Sequence, residues 1–294
     1  MRTVIRYGLI LTVILFICSG CTEKSIEHPN ELNNSEPFTY SATETEIAVH
    51  ETEPVPAAEL IETVPYLTDI EPGAYQLRFE SETCDEYMDY YLFIPNNAMD
   101  NMPIVVFLHG AVEIGHVELL ENYGIVSVVD RLYGADFPFL LLLPCTHKPS
   151  WTDNSVPETL IEMIDEIAES YHADKGRICI TGHSLGSVGT WKMVSLYSDY
   201  FSAAGPISCG IDEPLDFENC AKVPIIAYAG TEGADERNYN PAMHKLVDTI
   251  NAAGGDAQMR VIHGADHVRI FRIEIVDVIT IHLDTGLFEL QCIH

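Results

Sequence analysis

The residues best suited to covalent chemistry are Gly182-His183-Ser184-Leu185-Gly186. A serine hydroxyl is a weak nucleophile. It needs a base to take its proton and a turn that holds it where a carbonyl can approach. Arg177-Ile178-Cys179-Ile180-Thr181 reads as a buried strand, and the stretch after Ser184 through Trp191, Val194 and Leu196 reads as a helix. A strand that turns sharply into a helix through Gly-x-Ser-x-Gly is a nucleophile elbow, with glycines two residues to either side of the serine relieving the crowding. The bland alternative is a Gly/Ser-rich turn without chemistry, so the assignment rests on finding partners.

A nucleophile of this kind needs a base and an acid that orients it. Residues 224–229 (PIIAYA) read as a strand, and it ends in a loop, Gly230 to Glu236, that carries Glu232 and Asp235. A weaker strand, 258–262 (QMRVI), ends in His263-Gly264-Ala265-Asp266-His267. His267 lies in that loop and is the expected base; His263 continues the strand and is the rival. His183 is expected to point away from the serine and to be structural. Asp266 is too close in sequence to His267 to pair across its imidazole. The tetrahedral oxyanion requires two donors. Leu185 N–H follows the nucleophile directly, and Ala111 N–H lies after the first buried strand, with Gly110 as the fallback.

The elements that must hold these groups alternate along the chain. Residues 73–80 and 89–94 suggest an antiparallel strand pair. The apolar runs 103–108 (PIVVFL) and 137–143 (FPFLLLL) suggest strands buried on both faces. Helical patterns cover 156–171, 184–197, 241–253 and 268–283. The alternation predicts an α/β architecture, a mostly parallel doubly wound sheet with helices on both faces. In such sheets, sites form beyond the carboxyl ends of the strands, and every motif above falls at such an end.

The N-terminal region reads differently. Arg2 and Arg6 precede an apolar stretch, Gly8 to Ile17, too short to span a bilayer, so residues 1–21 are expected to be an export signal. Cys18-Ser19-Gly20-Cys21 resembles the lipobox of bacterial lipoproteins, although Cys18 stands where leucine is usual. The resemblance implies lipidation at Cys21 and a protein held at the extracellular face of the bacterial cell membrane, where multiple acyl chains anchor firmly. Residues 22–65 carry ten Glu and one Lys with few large apolar side chains. A solvated acidic tether is expected over 22–70, followed by one catalytic domain over 71–294.

The formal charge of -30 excludes nucleic acid as a partner and favours neutral substrates over polyanions. Six cysteines lie outside the signal: Cys84, Cys145, Cys179, Cys209, Cys220 and Cys292. Their number permits disulfides in an exported chain, but Cys179 in a central strand reads as a free buried thiol. With no C-x-x-C pair outside residues 1–21 and no H-E-x-x-H helix, neither a metal site nor a cofactor is expected.

Four blocks in order, VVFLHGAVEIG (105–115), ITGHSLGSVGTW (180–191), FSAAGPISCG (201–210) and GGDAQMRVIHGADH (254–267), resemble one α/β-hydrolase group. It comprises exported esterases and "predicted peptidases" related to polyhydroxybutyrate depolymerases and to feruloyl or acetylxylan esterases. The resemblance covers residues 72 to 285. This chain has Val112 and Ser187 where the group has glycines, and neither change removes a reacting group. The resemblance implies a triad of Ser184, His267 and Asp235, the acid being placed by counting back from Ala253-Gly254-Gly255; Glu232 remains the alternative. It also implies that Trp151 lies near the substrate cleft, and Trp151 and His109 are the expected substrate-binding residues. The implied activity is a carboxylic ester hydrolase acting through an acyl-enzyme on acetyl or feruloyl esters of plant polysaccharide fragments or similar small esters. A serine peptidase of small peptides and a non-catalytic surface-binding lipoprotein are the alternatives.

Overall fold

The computed structural model describes residues 71–270. The expected export signal, Cys21 and the acidic tether lie outside them, as do Cys292 and most of the helix expected over 268–283.

The strands are β1 (Gly73–Glu80), β2 (Tyr87–Ile94), β3 (Ile104–Leu108), β4 (Leu140–Cys145), β5 (Ile178–His183), β6 (Ala203–Ile207), β7 (Ile225–Gly230) and β8 (Ala257–Ile262). The longer helices between them are α1 (Gly124–Tyr133), α2 (Val156–Ser170), α3 (Leu185–Leu196) and α5 (Asn240–Ala252), with a single turn α4 (Phe217–Cys220) before β7. The strands form one sheet in the order β1-β2-β4-β3-β5-β6-β7-β8. β1, β2 and β4 pair antiparallel, as the sequence predicts for the first two, and every later pairing is parallel.

Alternation across the pleat explains the apolar runs. In β3, Ile104, Val106 and Leu108 enter one core layer while Val105 and Phe107 enter the other. Both faces are covered, which accounts for the continuous apolar run in that strand. The first layer packs Leu160 and Ile164 of α2, Trp191 and Val194 of α3 and Met243 of α5 against the sheet. The second packs Ile125, Val128 and Val129 of α1. α2 shows the reason for its register: Leu160, Met163, Ile164 and Ile167 recur at helical spacing and are buried, with Pro157 in the first turn, where its missing N–H costs nothing.

Three elements differ from the sequence reading. β4 begins at Leu140 rather than 137; Phe137 and Phe139 approach it from outside and pack into the second layer. β6 was not expected as a strand, because Ala-Ala-Gly-Pro-Ile has almost none of the β-branched or aromatic character that marks one. Between β5 and β7, small side chains suffice, and all five residues are buried. α1 was also not foreseen, since Ile125, Val126, Val128 and Val129 give its short segment a composition closer to a strand's. Cys84, Cys145, Cys179, Cys209 and Cys220 are free thiols, so the described residues contain no disulfide.

Candidate active site

Ser184 sits between β5 and α3 with φ 57° and ψ -116°, a backbone region that side chains other than glycine rarely adopt. The two flanking glycines are required by space. A Cβ on Gly182 would lie 2.4 Å from the Gly186 carbonyl oxygen, and one on Gly186 would lie 2.0 Å from the Leu108 carbonyl oxygen. The elbow therefore presses directly onto the end of β3. Its backbone is tied to the next strand, with Ser184 N–H donating to the Ile207 carbonyl at 3.0 Å.

The loop after β8 brings His267 over this turn. Its Nε2 lies 2.9 Å from Ser184 Oγ, and its Nδ1 lies 3.0 Å from Asp235 Oδ1. A carboxylate only accepts, so Nδ1 carries the proton and Nε2 is left with a lone pair facing the serine hydroxyl. Asp235 opens a π-helical turn, Asp235–Tyr239, between β7 and α5, and is fully buried. Its Oδ2 accepts from Ser208 Oγ at 2.6 Å and from Gly230 N–H at 2.7 Å. The three side chains, 83 and 32 residues apart pairwise along the chain, form one continuous hydrogen-bonded line.

The rival groups are elsewhere. Glu232 is half exposed and faces Arg269 at 3.7 Å. His263 is exposed, directly after the last residue of β8. His183 lies against the loop that carries His267. Its Nε2–H donates to the His267 carbonyl at 2.7 Å, and the two rings lie 4.7 Å apart. Burial and the neighbouring His267 push its pKa down to about 4, so it is a neutral donor that ties the His267 loop to the elbow. Ser208 and the Gly230 amide were missed altogether; neither has a sequence signal beyond lying just after β6 and at the end of β7.

The loop after β3 lies against the elbow on the other side. A Cβ on Gly110 would be 3.8 Å from Ser184 Cβ. Gly110 N–H donates to Tyr123 Oη at 3.3 Å and so is committed elsewhere. Ala111 opens a 3-10 turn and Leu185 opens α3, so neither N–H has an acceptor within its own helix. The Glu113 carboxyl group sits under the same turn, pushed above the usual carboxylate range by burial, with bonds from the Glu113 and Gly110 backbone and from Tyr123 partly offsetting the shift.

Trp151 and His109 require a correction. Both were expected to bind substrate, yet Trp151 is 1% and His109 0% exposed. Trp151 Nε1–H donates to the His109 carbonyl at 3.0 Å. His109 Nδ1–H donates to the Gly110 carbonyl at 2.6 Å, while its Nε2 accepts from Thr146 N–H at 3.2 Å. Burial holds its pKa at about 4, which keeps the ring in that neutral tautomer. His109 lies in the loop after β3 and Trp151 in the loop after β4, and the bond between them ties the two loops together. Trp191 lies in the core, with Nε1–H donating to the Cys209 carbonyl at 3.0 Å.

The sheet order, the sharp serine turn and the helices on both faces are those of the α/β-hydrolase fold. No protein-family model matches the chain. Acetylxylan esterase A of Aspergillus ficuum is 28% identical over 131 residues, which is 41% of this chain and 42% of that protein. The chain thus spans less than half the length of this curated relative. A solved thermostable esterase superposes with a TM-score of 0.59 at 24% identity, covering 71% of this chain and 62% of that one. A ferulic acid esterase does so with a TM-score of 0.57 at 16% identity, covering 72% of this chain and 99% of that one.

Proposed function

We propose that this protein is a serine-dependent carboxylic ester hydrolase. The observation that carries the reading is the line Ser184–His267–Asp235, with bonds of 2.9 and 3.0 Å and the acid fully buried. In the first step, Ser184 Oγ bonds to the ester carbonyl carbon as its proton passes to His267 Nε2. Asp235 stabilises the imidazolium that forms. The N–H groups of Leu185 and Ala111, neither accepted within its helix, hold the oxyanion. Collapse breaks the bond to the alcohol oxygen, which leaves with the proton from His267. Water then repeats the sequence on the acyl-serine and releases the acid.

The substrates proposed are acetyl or feruloyl esters of plant polysaccharide fragments, or similar small esters. This rests on the likeness to proteins named as acetylxylan and ferulic acid esterases and on the acidic surface, which favours neutral ligands. We place the enzyme outside the cell, tethered through a lipid on Cys21, on the sequence pattern of residues 1–21. The test is turnover of p-nitrophenyl acetate, methyl ferulate and acetylated xylan by the purified chain, with fluorophosphonate labelling of Ser184. Ser184→Ala is expected to lose ester turnover by several orders of magnitude, of the order of 10⁶-fold in kcat. A variant that keeps turnover within tenfold, or a wild-type chain that takes no label, rejects the assignment.

A further inference from the structure

Ser208 follows the last residue of β6 and occupies a conformation that its side chain makes unfavourable. Its φ is 56°, in the left-handed region where glycine alone sits without cost. It is also fully buried, with its N–H donating to the Tyr228 carbonyl at 2.7 Å. Packing alone would accept glycine here, and the backbone would prefer it. What a serine adds is one hydroxyl, and that hydroxyl donates to Asp235 Oδ2 at 2.6 Å.

Asp235 needs such a donor. Its carboxylate is removed from water, and its hydrogen-bond partners are His267 Nδ1 on one oxygen with Gly230 N–H and Ser208 Oγ on the other. A buried carboxylate stays charged only when its lone pairs are occupied by good donors. Two donors on Oδ2 also fix the rotation about Cβ–Cγ, and that rotation aims Oδ1 at the imidazole. Gly230 N–H alone defines a direction but not a plane.

We propose that Ser208 is a positioning residue: its hydroxyl holds the Asp235 carboxylate in the orientation that keeps His267 protonated at Nδ1. This rests on the reading of Ser184, His267 and Asp235 as a catalytic triad. It assigns to the end of β6 a part in catalysis without contact with substrate. The strained backbone at Ser208 is then the cost of placing a hydroxyl at that point, where a glycine would fold with less strain and leave the acid half held.

Two variants separate the hydroxyl from the backbone. Ser208→Ala removes the hydroxyl and keeps the strain; Ser208→Gly removes both and suits the φ of 56°. For each, kcat and KM are measured on p-nitrophenyl acetate, thermal stability is recorded, and the low-field proton NMR signal of a histidine N–H bonded to a carboxylate is followed. Loss of a hydrogen bond to a charged group corresponds to a fall in kcat of about 10- to 100-fold. KM is expected to stay within about threefold, since no substrate contact is removed. The low-field signal is expected to weaken or move upfield in both variants, even where Ser208→Gly is the more stable protein. A Ser208→Gly enzyme with wild-type kcat and an unchanged low-field signal overturns the proposal, because the residue would then serve only the turn. A wild-type chain without ester turnover rejects the triad itself, a separate outcome read from the unmutated protein.

Discussion

Replacing Asp235 by asparagine changes one atom and reverses the polarity of one hydrogen bond. The direction in which it does so is set by the buried cradle. Gly230 N–H points at Oδ2 from 2.7 Å, and a backbone amide cannot become an acceptor. The new amide oxygen must therefore take the Oδ2 position. The opposite orientation would set two N–H groups against each other in a fully buried site, a cost of about 2–3 kcal/mol or more. The NH2 group is thereby forced toward His267 Nδ1, which now has to accept. The imidazole proton moves to Nε2, where it faces Ser184 Oγ at 2.9 Å and blocks proton transfer from it. Wrong-tautomer substitutions of this kind lower kcat about 10⁴-fold, or roughly 5.5 kcal/mol of barrier. The assay is steady-state ester hydrolysis by Asp235→Asn beside Glu232→Gln, with circular dichroism to confirm that both fold. Glu232 faces only the exposed Arg269, so its variant is expected to keep activity within about twofold. An Asp235→Asn enzyme within tenfold of wild type, or a Glu232→Gln enzyme that loses a thousandfold, would refute the assignment of the acid.

Two further outcomes follow from the geometry. Gly186→Ala places a methyl group 2.0 Å from the Leu108 carbonyl oxygen, so β3 and the elbow must separate. A loss of about 2–3 kcal/mol in stability is expected by denaturant unfolding, together with loss of fluorophosphonate labelling; an alanine variant that labels at the wild-type rate would show that the elbow is not under steric constraint. His109 and His183 are held neutral down to about pH 4 in the folded chain, whereas an unfolded imidazole takes up its proton near pH 6.5. The unfolded state therefore binds more protons between those values, and stability from this source falls as pH drops from about 6.5 to 4, by up to about 3 kcal/mol for each histidine. His183→Gln keeps a donor near Nε2 without the titration, so its Tm is expected to depend less steeply on pH than the wild type's in that window; parallel profiles would reject the assignment of this acid sensitivity to His183.

Much of the candidate site was legible in the chain because Ser184 and His267 sit at the ends of strongly patterned elements. The run 178–181, the glycines at 182 and 186 and the helix after them marked where the chain turns sharply at Ser184, since a Cβ at either glycine would meet the Gly186 or Leu108 carbonyl. His267 was legible for the same reason, as a histidine in the loop after a strand that follows the serine in order. Continuous apolar runs in β3 and β4 marked a sheet buried on both faces. What lacked local character was lost: β6 is a strand because β5 and β7 leave a narrow slot between them, not because Ala-Ala-Gly-Pro-Ile favours extension.

The choice between Asp235 and Glu232 belonged to the tertiary structure. Both are acids in one loop, and only the π-helical turn before α5 directs one inward and leaves the other at the surface. The same holds for Ser208, His183, His109 and Trp151, whose roles depend on which backbone carbonyl or carboxylate lies within 3 Å. Sequence spacing determines which face of an element a residue occupies. Hydrogen bonding between elements depends on distances of a few tenths of an ångström, which arise only when the packed layers meet.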